Sequence, residues 1–237
     1  MTRIKVCGLA RRDDALHAVD VGVDFVGFVF TESARQAEPR IVRDWVREIR
    51  RRAPHARTVG VGREGEPEFF SRCLQAEVDF VQLHCSTPVR SGPVLPSESR
   101  LPIILALSGA ALSSVGEETR RDLERAASDA DGPGLDLWAL LGDSAATNGP
   151  SDRTGGAGHP FDWSLVPAWT TELRFFLAGG LSPETVAAAI AQVAPWAVDA
   201  SSRLERSPGE KDPARVVAFL EAVRRADATP TVARSRP

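Results

Sequence analysis

The 237-residue chain predicts an α/β fold in which eight parallel strands close into a single (β/α)8 TIM barrel. Three observations lead there. Short β-branched, apolar runs alternate with helix-like segments from end to end, the pattern of a parallel sheet with right-handed crossovers. The strand candidates number eight, and eight such units in a chain of this length are most simply closed on themselves. An open doubly wound sheet would want a glycine fingerprint after the first strand, and CGLA at 7–10 is not one.

The elements follow in order. RIKV at 3–6 reads as the first strand, followed by a helix over RRDDALHAVDVG at 11–22. DFVGFVF at 24–30 leads to a helix over PRIVRDWVREIRRRA at 39–53, and RTVGV at 57–61 to one over EPEFFSRCLQAE at 66–77. DFVQLH at 79–84 is the fourth strand. Its connection, STPVRSGPVLPSESR at 86–100, is rich in Pro, Ser and Gly, so a degraded helix or none is expected. PIILAL at 102–107 precedes a helix over GEETRRDLERAASDA at 116–130. LDLWALL at 135–141 precedes a long loop and then a helix over FDWSLVPAW at 161–169.

LRFFLA at 173–178 precedes SPETVAAAIAQVA at 182–194, where Ser182 offers an N-cap and Pro183 the first helical position. WAVDAS at 196–201 closes the set, and Asp212-Pro213 repeats the capping device before DPARVVAFLEAVRRA at 212–226. The barrel domain is thus expected over 1–226. DATPTVARSRP at 227–237 has no apolar periodicity and is expected to be a disordered tail.

Composition excludes several function classes. Hydrophobic residues make up 43% and charged residues 26%, with a net charge of −3, which supports neither a nucleic-acid nor an anionic-membrane partner. No apolar run approaches the roughly 18 residues that span a bilayer. MTRIKVCGLARRDD turns charged before a signal-peptide core could form, so a cytoplasmic location is expected. The cysteines (Cys7, Cys73, Cys85) are odd in number, and the four histidines lack metal-ligand spacing, so neither a disulfide framework nor a metal site is expected. Among the basic residues only Lys5 and Lys211 are lysines, and both lie inside motifs.

In such a barrel the active site lies at the C-terminal strand ends. Those ends carry Cys7, Arg35 just beyond strand 2, His84, Asp143, Gly179-Gly180 and Ser201-Ser202. LAGGLSPETV sets two glycines between a strand and a helix start, where backbone N–H groups can meet an anion. Ser201 and Ser202 add hydroxyls on the neighbouring strand, and a phosphate site is the reading of the pair. Cys7 could serve as a base and Asp143 as an acid; equally, the thiol could be a small core hydrophobe and the aspartate a turn residue. Arg35 could be solvated and His84 structural. Lys5 shares the inward face with Cys7 and needs a counter-charge, which Asp199 on strand 8 can supply.

IKVCGL, GFVF with S-x-R after it, VQLH, GD-S followed by GGAGHPFDW, LAGGLSPETV, and VDASSRLE with SPGEKD occur in one order. Together, from about residue 3 to about residue 224, they resemble the phosphoribosylanthranilate isomerase family of tryptophan biosynthesis. The resemblance implies an Amadori rearrangement of N-(5′-phosphoribosyl)anthranilate to 1-(o-carboxyphenylamino)-1-deoxyribulose 5-phosphate. It makes Cys7 the general base, Asp143 the general acid and Arg35 the partner of the anthranilate carboxylate, with His84, Asp199 and Lys5 also at the substrate. Phosphate is implied on Gly156, Gly158, Gly179, Gly180, Ser201 and Ser202, with Arg203 beside them. No cofactor is implied, because the substrate's own nitrogen supplies the iminium. The implied partner is a small phosphorylated molecule, bound by a monomer or homodimer.

The chain departs from the family pattern at Gly62, Cys85, Leu105 and Gly142, in GGAG, and at Arg203, which replaces a phosphate-loop glycine. These changes keep two alternatives open: a diverged paralogue acting on another N-substituted ribosyl phosphate, and a non-catalytic barrel that binds a sugar phosphate.

Overall fold

Alternation along each strand divides the side chains between two cores. In the computed structural model, which describes residues 1–85, 101–117, 120, 121, 124, 137–143 and 162–229, eight parallel strands close into a barrel in sequence order. They are β1 (Arg3–Val6), β2 (Phe25–Val29), β3 (Arg57–Arg63), β4 (Phe80–His84), β5 (Ile103–Ser108), β6 (Leu137–Asp143), β7 (Phe175–Leu177) and β8 (Ala197–Ala200). The barrel closes where β1 pairs with β8, with Lys5 in register with Asp199. Outward residues such as Ile4, Val26, Leu105 and Val198 pack under the helices. Inward ones, including Phe25, Val59, Ile104, Ala139 and Ala197, fill the barrel.

The helices bury apolar stripes at helical spacing. Helix α1 spans Arg12–Asp20. In α2 (Pro39–Arg52), Val42, Val46 and Ile49 are buried while the arginines face outward. Next come α3 (Phe69–Ala76), the short α4 (Gly109–Ser113) directly after β5, and α5 (Val186–Val193). In α6 (Pro213–Ala228) Val216, Phe219, Leu220 and Val223 form the stripe, and the Asp212 carboxylate caps the start by accepting from the Ala214 and Arg215 amides at 2.9 and 3.4 Å.

Several expectations change. Residues 161–169 do not form a helix where described: 3₁₀ turns at Trp163–Leu165 and Ala168–Glu172 flank Pro167, whose missing N–H and fixed φ interrupt a continuous ladder. Ser182 opens a turn before α5 instead of the helix proper, although its carbonyl still accepts from Val186. Helix α6 continues past 226 to Ala228, because Asp227 is anchored: its carboxylate accepts from the Thr2 amide at 2.8 Å and hydroxyl at 2.7 Å. The expected tail from 230, the 86–100 connection and most of 116–130 lie outside the described residues. No helix among the described residues is long and apolar enough to cross a membrane.

Within the barrel, chemistry is layered by depth. At the N-terminal end Phe25, Phe80, Trp138, Phe176 and Trp196 form an aromatic floor, with Phe80 and Trp138 centroids 4.5 Å apart and Trp138 edge-on to Trp196 at 5.3 Å. Above the floor lie Lys5 and Asp199. At the C-terminal end the barrel opens into a cleft.

Candidate active site

A cleft opens at the C-terminal strand ends. Its lining brings together Cys7, Arg35, His84, Asp143, Gly179, Gly180, Asp199, Ser201, Ser202 and Arg203. Each was expected from the sequence, and period-2 alternation points Cys7, His84, Asp143 and Asp199 inward at their strand ends. Lys5, also expected at the substrate, is instead wholly buried and does not reach the cleft wall. Gly156 and Gly158 lie outside the described residues.

Cys7 sits where β1 runs out, its backbone held from both sides. Its N–H donates to Ala200 O at 2.9 Å, and its carbonyl accepts from the Ser201 hydroxyl at 2.9 Å. Gly27 on β2 makes room for the thiol, since a Cβ there would lie 2.7 Å from Cys7 Sγ. Burial pushes the Cys7 thiol above its usual range, while the ammonium of Lys5 pulls it back down. Lys5 is held charged above its usual value, the carboxylate of Asp199 at 2.6 Å and the Cys7 sulfur outweighing the cost of burial. A buried cation next to a thiol stabilises the thiolate, the form that accepts a proton. Asp143, the last residue of β6, lines the same cleft and lies in register with Ser108 on β5.

His84 stays neutral. Burial, with the charges of Lys5 and Arg63, pulls its imidazole down to about 4. Its Nε2 lies 2.9 Å from the Gln82 side-chain amide.

On the opposite wall the cleft is lined by backbone turns. Gly179 and Gly180 take φ of 87° and 72°, left-handed values that suit glycine, in the turn between β7 and Ser182. Ser201 and Ser202 follow β8. Arg203, which replaces a phosphate-loop glycine of the family pattern, is exposed and lines the cleft.

The loop after β2 doubles back, Gln36 bridging to Val29, and so presents Arg35. The Arg35 fork is engaged: Nε and Nη2 donate to Glu205 Oε1 and Oε2 at 2.8 and 2.9 Å. Sequence reasoning missed Glu205, as well as Lys211 beside it and the pocket-lining Gln82 and Arg63. Arg63 was legible, since it shares the inward parity of Val59 and Val61.

Most departures from the family pattern point away from the cleft. A Cβ on Gly62 would strike the Phe69 ring at 2.3 Å, so Phe69 of α3 fills the space outside the barrel. A Cβ on Gly142 would meet Leu112 and Phe175 at 2.8 Å, also in the helix layer. Leu105 and Cys85 belong to the same outer core, and burial raises the Cys85 thiol to about 12. Cys85 is therefore an inert wall residue.

A closed (β/α)8 barrel with a thiol, a carboxyl group and glycine-serine turns around one cleft fits a class: barrel enzymes that move protons on phosphorylated small molecules. The comparisons narrow it. A family model described as N-(5'phosphoribosyl)anthranilate (PRA) isomerase matches residues 4–222. The N-(5'-phosphoribosyl)anthranilate isomerase of Moorella thermoacetica is 36% identical over 232 residues, covering 96% of this chain and 92% of the relative. The crystal structure of phosphoribosyl anthranilate isomerase from Thermotoga maritima superposes with a TM-score of 0.67 at 34% identity, covering 94% of this chain and 99% of that one. A similar enzyme, solved in complex with reduced 1-(o-carboxyphenylamino)-1-deoxyribulose 5-phosphate, gives 0.65 at 32% identity, covering 94% of this chain and 99% of its own. The chain belongs to the phosphoribosylanthranilate isomerase family.

Proposed function

We infer that the cleft converts N-(5′-phosphoribosyl)anthranilate into 1-(o-carboxyphenylamino)-1-deoxyribulose 5-phosphate, the isomerisation of the family, in the cytoplasm. The observation that carries the assignment of roles is that Cys7, Asp143, Arg35 and the glycine-serine cradle line a single cleft.

Asp143 donates a proton to the furanose ring oxygen. The C1′–O bond breaks as the anthranilate nitrogen lone pair forms the iminium. Cys7, as thiolate, then takes the C2′ proton, and the C–H bond pair becomes the C1′=C2′ double bond while the iminium is neutralised. Loss of the 2′-hydroxyl proton and protonation at C1′ give the ketose, an isomer of the starting material. Because the substrate nitrogen is the electron sink, the steps are proton transfers throughout. Lys5 favours the thiolate from below, and Asp199 holds the Lys5 ammonium in place.

Phosphate rests on Gly179, Gly180, Ser201 and Ser202, with Arg203 beside them. Arg35 keeps N–H groups beyond the two given to Glu205 and offers them to the anthranilate carboxylate. Gly142, Leu105 and Cys85 face the helix layer, so of the described departures only Gly62 and Arg203 border the cleft. The test is to supply purified protein with freshly prepared phosphoribosylanthranilate beside a ribosyl phosphate bearing a different amine. Preferential turnover of the anthranilate compound is expected, and preference for the other would overturn the substrate assignment.

A further inference from the structure

Among the described residues, a buried ion pair, Glu205 and Lys211, stands outside this mechanism. After β8 the chain makes a small antiparallel hairpin, β9 (Glu205–Ser207) and β10 (Glu210–Lys211), with Lys211 opposite Glu205. The Glu205 and Lys211 side chains are 4% and 1% exposed, and Lys211 Nζ donates to Glu205 Oε1 at 2.6 Å. A lone buried charge is costly, so each needs partners. Glu205 grips the Arg35 fork with both oxygens. Lys211 donates to the Ser201 carbonyl at 3.2 Å and lies 3.4 Å from its hydroxyl.

The surroundings are built to hold this cluster. The Lys211 amide donates to Asp14 of α1 at 2.9 Å. The hairpin turn at Gly209 packs on the Arg35 loop, where an added Cβ would sit 3.3 Å from Ala34 O. A Cβ on Gly8 would meet Arg35 Cδ at 2.6 Å and Ser201 Oγ at 2.8 Å, so Arg35 and Ser201 converge over the bare backbone of Gly8. Ser201 in turn donates to the carbonyl of Cys7. A continuous chain of contacts therefore runs from Arg35 through Glu205 and Lys211 to Ser201 and the backbone of the thiol.

We propose that Glu205 and Lys211 are positioning residues: Glu205 orients Arg35 for the substrate carboxylate, and Lys211 carries the same anchor to Ser201 at the phosphate end. The proposal deepens the isomerase reading and rests on it. Burial alone would raise the Glu205 carboxyl; Arg35 and Lys211 together hold it below its usual range, so it is a fixed anion in the resting enzyme.

The test uses two ligands and a double-mutant cycle. The ligands are reduced 1-(o-carboxyphenylamino)-1-deoxyribulose 5-phosphate and the same compound without the ring carboxylate, with binding followed by calorimetry and turnover measured in parallel. Glu205→Gln is expected to weaken the carboxylated ligand about tenfold and the carboxylate-free one less than about threefold, and to add less than about threefold in an Arg35→Ala background. Lys211→Met is expected to weaken both ligands alike, since both carry phosphate. A merely structural role for Glu205 would cost both ligands equally and add fully to Arg35→Ala, which overturns the proposal, as does no loss at all. If Glu205→Gln does not fold, Glu205→Asp, which keeps the charge facing Lys211 but withdraws the fork, enters the same cycle. A parent protein that turns over phosphoribosylanthranilate while the cycle is additive sinks only the positioning role; a parent without turnover sinks the isomerase reading as well.

Discussion

The ammonium of Lys5 lies 2.6 Å from the carboxylate of Asp199, both inside the barrel and one layer below the thiol of Cys7. The pair is in strand register, so the fold places it without long side-chain reach. Removing one partner strands the other charge. Lys5→Met is expected to cost about 3–5 kcal/mol of stability in urea unfolding, with most of it regained when Asp199 is also made apolar. The same substitution removes the cation that opposes burial at Cys7, so the thiol should titrate still higher. The rate of iodoacetamide alkylation against pH reports this directly.

Gly27 tests whether the thiol must stand where it does. With 2.7 Å between its added Cβ and the Cys7 sulfur, Gly27→Ala must displace the side chain. Since misplacing a reacting group by an ångström can cost about 100-fold, kcat is expected to fall by about 10- to 100-fold. The melting temperature should move little, which a thermal scan beside the kinetics decides.

His84 predicts an acid limb in stability. An unfolded histidine titrates near its usual 6.5, whereas the folded one is held down at about 4. Between those values the unfolded chain binds a proton that the folded chain refuses, so stability falls as pH drops from about 6.5 through about 4. The loss attributable to His84 is at most about 3 kcal/mol, and it should be absent in His84→Gln. Urea midpoints at pH 7 and pH 4 for both proteins measure it.

Much of this was legible in the residues. Period-2 alternation announces which strand residues look inward, and strand ends in a barrel share one rim, so Cys7, His84, Asp143 and Asp199 could be gathered by parity alone. The same parity places Arg63 inside and Gly62 outside. What stayed hidden depends on contacts remote in sequence. Glu205 meets Arg35 across 170 residues, and no local pattern marks an arginine as already engaged. The stretch around Trp163 reads as helix by apolar spacing, yet Pro167 breaks it into two turns.

The central claim is that Cys7 and Asp143 carry the proton transfers, and variant kinetics on phosphoribosylanthranilate test it most directly. With the loss of substrate fluorescence as the signal, Cys7→Ala and Asp143→Asn are each expected to lower kcat by at least about 100-fold, the typical share of a general acid or base, while both proteins still bind the reduced product analogue. Turnover at the parent rate by either variant would contradict the assignment.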